Sequence, residues 1–282
     1  VRSEVPCDDS VLQAMSICYK EIQQPEKIRE VYEAAATAHP GNEEILTHLF
    51  MAYVRLGDFK KQQKTALALY KLKAKNPYYF WAVMSVVMQA IEADDKLAKT
   101  VILPLAERMV LKLVDEGKLE AEQEIQLYLM ILELQGKDEK VLEVLEGPLA
   151  ETLSGVGARK ANLLLKLQRH EEAADAFKKL ISEDPDNWAH YLSYLTAALE
   201  TQKPTECLEF LDKIAETSGK KVRGPQLARF ELLKRCDGSE VDLRDVRDLV
   251  DLMSQYFGQF GNKGCIVGDL NLYLGLLSDE EK

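Results

Sequence analysis

The chain has 282 residues, of which 46% are hydrophobic and 29% are charged, the composition of an ordinary soluble globular protein. Its formal net charge of −11 argues against broad contact with nucleic acid or with an anionic membrane. Five cysteines without a Cys-x-x-Cys pair predict buried free thiols in a reducing compartment. The longest apolar run, residues 80–88, is far shorter than the roughly 20 residues that span a bilayer. Because the chain begins with Val1 rather than methionine, we expect it to be part of a longer protein.

Helical periodicity recurs along the whole chain between short breaks rich in Gly, Pro and Asn, while alternating strand patterns are almost absent. Three of the breaks resemble one another: TAHPGNEE at 37–44, AKNPYYFW at 74–81 and SEDPDNWA at 182–189. Each follows one predicted helix and opens the next one. Similar breaks between pairs of helices indicate internal repeats.

The repeats resemble the tetratricopeptide pattern, in which about 34 residues form two antiparallel helices. Matching frames lie at about 9–42, 43–76, 122–153, 154–187 and 188–221. In the second frame, Leu46, Leu49 and Tyr53 occupy the packing positions of the first helix. Because a single helix pair cannot bury its apolar face alone, neighbouring pairs must stack and share a core. We therefore expect one all-α solenoid over residues 1–282, a right-handed superhelix of antiparallel helix pairs.

Residues 77–121 do not fit the repeat and predict two longer helices around the break EADDK at 92–96. The block is entered through the densest aromatic stretch of the chain, NPYYFWAVMSVVMQ at 76–89. The apolar face of this helix is wide, so we expect four residues in a core packed on the preceding helix of residues 59–72: Phe80, Val83, Met84 and Val87. At the mouth of the helix, Tyr78 and Tyr79 are the candidates for contact with a partner. Residues 222–282 predict further helices of less certain frame, with one at 241–261.

A row of lysines forms a second candidate surface on the helix of residues 59–72 and its continuation: Lys60, Lys64, Lys71 and Lys75. At about 100° per residue they fall within one narrow stripe, opposite a face that contains Ala66, Leu69 and Leu72. On an acidic protein, such a stripe is suited to an acidic partner or to ribosomal RNA. The alternative is an ordinary solvated helix face.

Arg159, Asn162 and Lys166 lie three and four residues apart on one predicted helix. They resemble half of a carboxylate clamp, in which tetratricopeptide co-chaperones hold the C-terminal carboxylate of a peptide. The next frame offers Ala189, Leu192 and Ser193 at the comparable positions. The second half of the clamp is therefore missing from the pattern.

The sequence contains no recognisable catalytic, cofactor-binding or metal-binding constellation. Four histidines lie in different frames without metal-ligand spacing: His39, His48, His170 and His190. The only Gly-rich phrase, SGVGARK at 154–160, lacks the spacing of a phosphate-binding loop and predicts a turn between helices. We therefore expect the chain to bind other proteins rather than to catalyse a reaction.

Several phrases are similar to the auxiliary subunit of the NatB N-terminal acetyltransferase: HLFMAYVRLGDFKKQQKTALALYK at 48–71, NPYYFWAVMSVVMQ at 76–89, LPLAERMV at 103–110 and EAEQEIQLYLMILELQGK at 120–137. The resemblance implies a non-catalytic subunit that holds a small catalytic subunit near the ribosome, with acetyl-CoA bound to that partner. The complex would acetylate nascent chains that begin with Met-Asp, Met-Glu, Met-Asn or Met-Gln. A cytoplasmic protein without DNA or membrane partners is implied as well.

A different class of function stays open beside this one. The same fold serves peptide-binding adaptors, either co-chaperones or adaptors of the actin cytoskeleton. Co-purification with the catalytic subunit would favour the acetyltransferase interpretation. Peptide binding that depends on Arg159 and on a free C-terminal carboxylate would favour the adaptor.

Overall fold

The computed structural model describes residues 9–218, 222 and 224–236, and every regular element within those ranges is helical. The elements are α1 (Asp9–Glu21), α2 (Pro25–Ala38), α3 (Glu43–Leu56), α4 (Phe59–Leu72), α5 (Asn76–Glu92), α6 (Asp95–Leu97), a π-helical segment (Ala98–Ile102), α7 (Leu103–Asp115), α8 (Glu122–Leu134), α9 (Asp138–Glu146), a 3₁₀ segment (Pro148–Thr152), α10 (Val156–Lys166), α11 (His170–Glu183), α12 (Trp188–Ala198), α13 (Pro204–Ser218) and α14 (Gly224–Arg235). The all-α prediction is confirmed for these ranges. The helix predicted at 241–261 lies outside the described residues.

The helices follow one another in the spacing that the repeat pattern predicts. The frames at 9–42 and 43–76 contain α1–α2 and α3–α4, and the three later frames contain α8–α9, α10–α11 and α12–α13. The irregular block at 77–121 contains α5, α6, the π-helical segment and α7. The assignment of residues 1–282 to one continuous solenoid stays a prediction.

The turn between α3 and α4 shows how local chemistry sets the helix ends. Asn42 caps α3, because its side-chain oxygen accepts a hydrogen bond from the backbone N–H of Glu44 at 2.9 Å. Gly57 ends α3 with a φ of 69°, a left-handed conformation that glycine adopts without steric cost. Asp58 then caps α4 by accepting from the N–H of Lys61 at 3.1 Å. The two antiparallel helices are therefore joined by only two residues.

The chain divides into two compact units, Val1–Leu153 and Ser154–Lys282. In the first unit, buried side chains form clusters that successive helices share. One cluster joins α1, α2 and α3: Leu12, Ile28, Val31, Tyr32, Ala35, Ile45, Leu49, Ala52 and Tyr53. The next joins α3, α4 and α5: Leu46, Phe50, Ala66, Leu69, Tyr78 and Ala82. The predicted packing positions Leu46, Leu49 and Tyr53 are thus buried, and α3 serves both clusters.

In the second unit, α11 packs between α10 and α12, and α14 packs on both α12 and α13. Phe177 of α11 and Tyr191 of α12 are fully buried. The hydroxyl of Tyr191 donates to the carbonyl of Pro185 at 2.8 Å. Gly224 begins α14 directly against this pair, and a Cβ there would lie 2.5 Å from the same carbonyl oxygen. Only glycine allows α14 to start so close to the turn between α11 and α12.

Helix α5 packs on α4 and also on α7, so most of its circumference is covered. Phe80, Val83 and Val87 are buried, as predicted, and the predicted packing on the helix of residues 59–72 is confirmed. The prediction for Met84 is wrong, because 38% of its surface is exposed. Met84 and Ile91 lie seven residues apart on the one strip of α5 that faces neither neighbour. The wide apolar face was read correctly, but its edge was placed one residue too far.

Between α5 and α7 the chain forms a short helical turn and then a π-helical segment, Ala98–Ile102. Asp94 caps the turn by accepting a hydrogen bond from the N–H of Leu97 at 2.9 Å. Pro104 follows at the start of α7, where it has no N–H to donate to the carbonyl four residues earlier. The wider π turn just before Pro104 accommodates this missing bond and the bulk of the ring.

The cysteines divide between core and surface. Cys207 is fully buried in α13, whereas Cys18 is exposed on α1, and both are free thiols. Burial raises the pKa of the Cys207 thiol, which keeps it protonated and unreactive. The expectation of buried thiols is therefore wrong for Cys18.

Candidate partner-binding surfaces

The two tyrosines predicted to face a partner are both 8% exposed. The hydroxyl of Tyr78 donates to the carboxylate of Glu43, and the hydroxyl of Tyr79 donates to the carbonyl of Met109 at 3.1 Å. Tyr78 also packs edge-on against Trp81, with ring centroids 5.2 Å apart. Both rings are thus occupied inside the first unit, where they join α5 to α3 and to α7. This burial argues against the docking role proposed from the sequence.

Glu43, at the first residue of α3, is the centre of a charged cluster. Its carboxylate oxygens lie 2.5 Å from Lys73 Nζ and 2.6 Å from Lys75 Nζ. Hydrogen bonds from Lys73, Lys75 and Tyr78 lower the pKa of Glu43 from 4.5 to about 2. The cluster connects the start of α3 to the turn that enters α5. Lys75 is therefore an internal tether.

The lysine stripe is shorter than the sequence predicted. Helix α4 ends at Leu72, so Lys75 lies beyond it and does not continue the row. Lys60, Lys64 and Lys71 are exposed along α4, and none of them is ion-paired with a residue of the described ranges. On the opposite face Ala66 and Leu69 are fully buried, whereas 41% of Leu72 is exposed. What remains is a face of three unpaired lysines, which we call the α4 lysine face.

Two further carboxylates cross-link helices, and sequence reasoning missed both. Glu107 of α7 is 5% exposed, with Lys137 Nζ at 2.5 Å, Gln135 Nε2 at 3.0 Å and Lys140 Nζ at 3.2 Å. Burial raises the pKa of Glu107, but these hydrogen bonds outweigh it and hold the pKa below its usual value. A glutamate inside the apolar phrase LPLAERMVL was the available signal. Its partners lie about 30 residues away in sequence, so no local pattern identifies them.

Glu33 of α2 makes the third such cross-link. It accepts from the hydroxyl of Tyr53 in α3 at 2.8 Å and from Lys61 Nζ in α4 at 3.1 Å. Burial raises the pKa of Glu33, yet these two hydrogen bonds hold it below its usual value. Burial and the bond to Glu33 raise the pKa of Tyr53. These contacts stabilise the stack of helices and do not form an open site.

The three clamp-like residues lie on α10 of the second unit. Asn162 is exposed and donates to the carbonyl of Ala158 at 2.9 Å, while Arg159 is half-buried and Lys166 is exposed. The comparable positions on α12 hold Ala189, Leu192 and Ser193, which supply neither an amide nor a cation. Gly155 ends the turn before α10 with a φ of 64°, so SGVGARK forms a turn and the first residues of a helix.

The described histidines take part in packing. His48 stacks on Tyr32 with ring centroids 5.2 Å apart, and His190 lies 6.5 Å from Phe177. Across the described ranges, histidine, cysteine and carboxylate side chains form no cluster able to hold a metal ion. None of the described helices is long and apolar enough to cross a membrane.

A groove between α1 and α3 was not predicted from the sequence. It encloses about 310 Å³ and is lined by Gln13, Ser16, Ile17, Lys20, Tyr32, His48, Met51 and Arg55. Ile17 is 62% exposed and Met51 38% exposed. The signal in the sequence was an apolar residue on the outer face of α1, which the repeat pattern does not require.

Residues 1–181 match the family model described as Psidin, N-terminal TPR repeats region. The chain belongs to this family. Residues 188–282 match a second model, described as the non catalytic subunit of the N-acetyltransferase B complex (NatB). The tetratricopeptide-like fold predicted from the repeat frames is thereby confirmed.

Two relatives of the Psidin-family chain have curated names. It is 41% identical over 302 residues to the rat (Rattus norvegicus) N-alpha-acetyltransferase 25, NatB auxiliary subunit, covering 96% of this chain and 31% of the relative. It is 40% identical over 291 residues to the Phagocyte signaling-impaired protein of Aedes aegypti, covering 97% of this chain and 31% of the relative. The chain thus spans about a third of the length of these relatives. The resemblance to the NatB auxiliary subunit is confirmed.

A solved structure, the NatB acetyltransferase complex bound to CoA and MES, contains a chain of the same fold. The TM-score is 0.66 at 17% sequence identity, with 96% of this chain and 34% of that chain covered. At this identity the likeness concerns the fold.

Proposed function

We propose that this chain is part of the non-catalytic auxiliary subunit of a NatB-type N-terminal acetyltransferase. The observation that carries the proposal is the pair of adjacent family matches, over 1–181 and 188–282, together with a relative named as the NatB auxiliary subunit. In this role the subunit binds the catalytic subunit and positions it. Acetyl-CoA is bound by the catalytic subunit, and the complex works in the cytoplasm on nascent chains.

The geometry of the first unit supports a scaffold. Successive helices share buried clusters, and three carboxylates connect helices that are not neighbours in sequence: Glu33, Glu43 and Glu107. Such cross-links restrict the sliding of one helix on the next. A stiff stack of helices presents fixed surfaces to a partner, which lowers the entropy lost on binding.

The test is to co-express the full-length protein that contains this chain with the catalytic subunit. We expect the two to co-purify and the complex to acetylate a peptide that begins with Met-Asp, but not a matched peptide that begins with Ser-Asp. Failure of the full-length protein to form a complex would contradict the proposal. If the complex forms without this chain, the catalytic contact lies in the remainder of the protein.

We propose the α4 lysine face as a contact for the ribosome. Its three unpaired cations, Lys60, Lys64 and Lys71, form a local positive strip on a protein with a net charge of −11. Contacts of this kind weaken steeply with salt, because counterions compete for the phosphates. Replacing all three lysines by glutamate should reduce co-sedimentation with ribosomes at low salt. A matched change at the exposed Lys213 of α13 serves as the control, and an equal loss there would exclude a specific role for the face.

The adaptor alternative rests on α10, where Arg159, Asn162 and Lys166 share one helix. An adaptor of this kind would bind a peptide through its C-terminal carboxylate. A labelled peptide should then bind with a free C-terminus and lose affinity when it is amidated or when Arg159 is changed to alanine. Equal binding of the free and amidated peptides would remove this function.

A further inference from the structure

The groove between α1 and α3 combines exposed aliphatic surface with positive charge. Ile17 of α1 and Met51 of α3 contribute the aliphatic surface, while Tyr32 and His48 stack on each other among the lining residues. The unbranched side chain of methionine adapts its shape to a bound group. An exposed isoleucine and methionine around a cavity of about 310 Å³ offer room for one or two aliphatic side chains.

The charged residues of the groove are both basic. Lys20 lies in the last turn of α1 and Arg55 in the last turn of α3, and both line the cavity. Neither is ion-paired with a residue of the described ranges, and the lining includes no carboxylate. The two cations also complement the negative ends of their helices. That role leaves their outward-facing charge available to an acidic group.

We propose that this groove binds a short protein segment in which an aliphatic side chain stands next to carboxylates. The aliphatic side chain would contact Ile17 and Met51, and the carboxylates would pair with Lys20 and Arg55. Apolar contact supplies affinity, while the charges select the partner and speed its approach. This site goes beyond the proposed acetyltransferase role, because it concerns a second partner and depends on no contact with the catalytic subunit.

A protein segment fits better than a nucleic acid. Single-stranded nucleic acid binds through open aromatic faces and an extended basic track. Here Tyr32 is only 3% exposed, and two cations make no continuous track. The net charge of −11 further disfavours a polyanion. An acidic amphipathic segment needs only a local match of charge and shape.

The experiment uses the full-length protein and two fluorescein-labelled peptides of equal length. One repeats the unit Glu-Glu-Leu-Leu and the other the unit Lys-Lys-Leu-Leu, and binding is followed by fluorescence anisotropy. We expect the acidic peptide to bind at least about tenfold more tightly than the basic one. Its affinity should fall as salt rises from about 50 to about 300 mM, because these charges are exposed.

Variants then locate the site. The double change Lys20→Glu and Arg55→Glu should weaken the acidic peptide at least about tenfold and improve binding of the basic peptide. Ile17→Gln with Met51→Gln should weaken both, whereas Lys64→Glu on the α4 lysine face should leave the acidic peptide unchanged. Circular dichroism verifies that each variant is folded, and all of these side chains are exposed.

Several outcomes would overturn the inference. Equal binding of the two peptides would remove the charge selection, and no effect of either double variant would place binding elsewhere. Tighter binding of an RNA oligonucleotide that depends on Lys20 and Arg55 would replace the acidic segment with a nucleic acid. Complex formation with the catalytic subunit is measured on the same variants, so failure of this site is distinguished from failure of the proposed function.

Discussion

The regular pair α3–α4 and the irregular block of α5 and α7 bury their residues in different ways. Helix α4 buries one narrow face, which includes Ala66 and Leu69, and leaves its lysines in solvent. Helix α5 is covered by α4 on one side and by α7 on another. An ordinary amphipathic stripe therefore suffices for α4, while α5 must be apolar around most of its circumference. The composition of a helix thus reports how many neighbours it has.

The largest expected effect is on the core of the irregular block. Phe80→Ala should lower the free energy of unfolding by about 3–5 kcal/mol, because it removes a buried aromatic ring and leaves a cavity. Met84→Ala, four residues later on the exposed strip, should cost less than about 1 kcal/mol. Urea titrations of the two variants measure the difference. Equal losses would mean that α5 has no exposed side.

The next effect concerns the buried carboxylate of the same block. Glu107→Gln should cost about 1–3 kcal/mol, because it removes the charge that Lys137 and Lys140 surround. The two lysines are partly exposed and regain water, which keeps the loss below that of a fully buried pair. Glu26→Gln on the exposed start of α2 is the control and should change stability by less than about 0.5 kcal/mol. A neutral Glu107 variant would show that packing alone joins α7 to α9.

A smaller effect is expected in the turn of the regular pair. Gly57→Ala should cost about 1 kcal/mol, because alanine is strained at a φ of 69°. A new Cβ at Gly57 would meet only Phe59 Cζ, at 3.9 Å, so crowding adds little. Gly41→Ala, where a Cβ meets nothing within 4 Å and φ is not positive, should be close to neutral. Thermal unfolding of both variants distinguishes backbone strain from loss of space.

The smallest effect at neutral pH concerns Glu43, which connects the two regions. Its folded pKa of about 2 lies below its ordinary value of 4.5, so the folded state favours the ionised form. The stabilisation is fully present above about pH 4.5 and is lost as the pH falls toward 2. The difference in urea midpoint between the wild type and Glu43→Gln should therefore shrink over this range. High salt should shrink it as well, and a difference independent of pH would contradict the charge pairing.

The sequence was informative wherever the structure depends on nearby residues. Gly57, Asn42 and the Pro-bearing breaks locate helix ends, because capping and left-handed turns are local. Phe80, Val83 and Val87 follow from periodicity. The edge of that face at Met84 does not, because it depends on where α7 lies.

The candidate site was less accessible to sequence reasoning. Tyr78 and Tyr79 stand where a solvent-facing helix mouth would be, and only the fold shows that Glu43 and the Met109 carbonyl hold them inside. Lys75 fits the helical stripe in angle, yet the helix ends at Leu72. The Glu107 cluster joins side chains about 30 residues apart. Charge pairs at such separation leave no periodic trace in one sequence.

The three carboxylate cross-links have a consequence for local unfolding. In many repeat proteins each repeat contacts only its neighbours, so terminal repeats open one at a time. Here Glu33 joins α2 to α3 and α4, while Glu43 joins α3 to the turn before α5. Opening one helix pair therefore breaks contacts of the next. Amide hydrogen exchange should show α2 to α5 opening as one cooperative unit, with similar protection along its length.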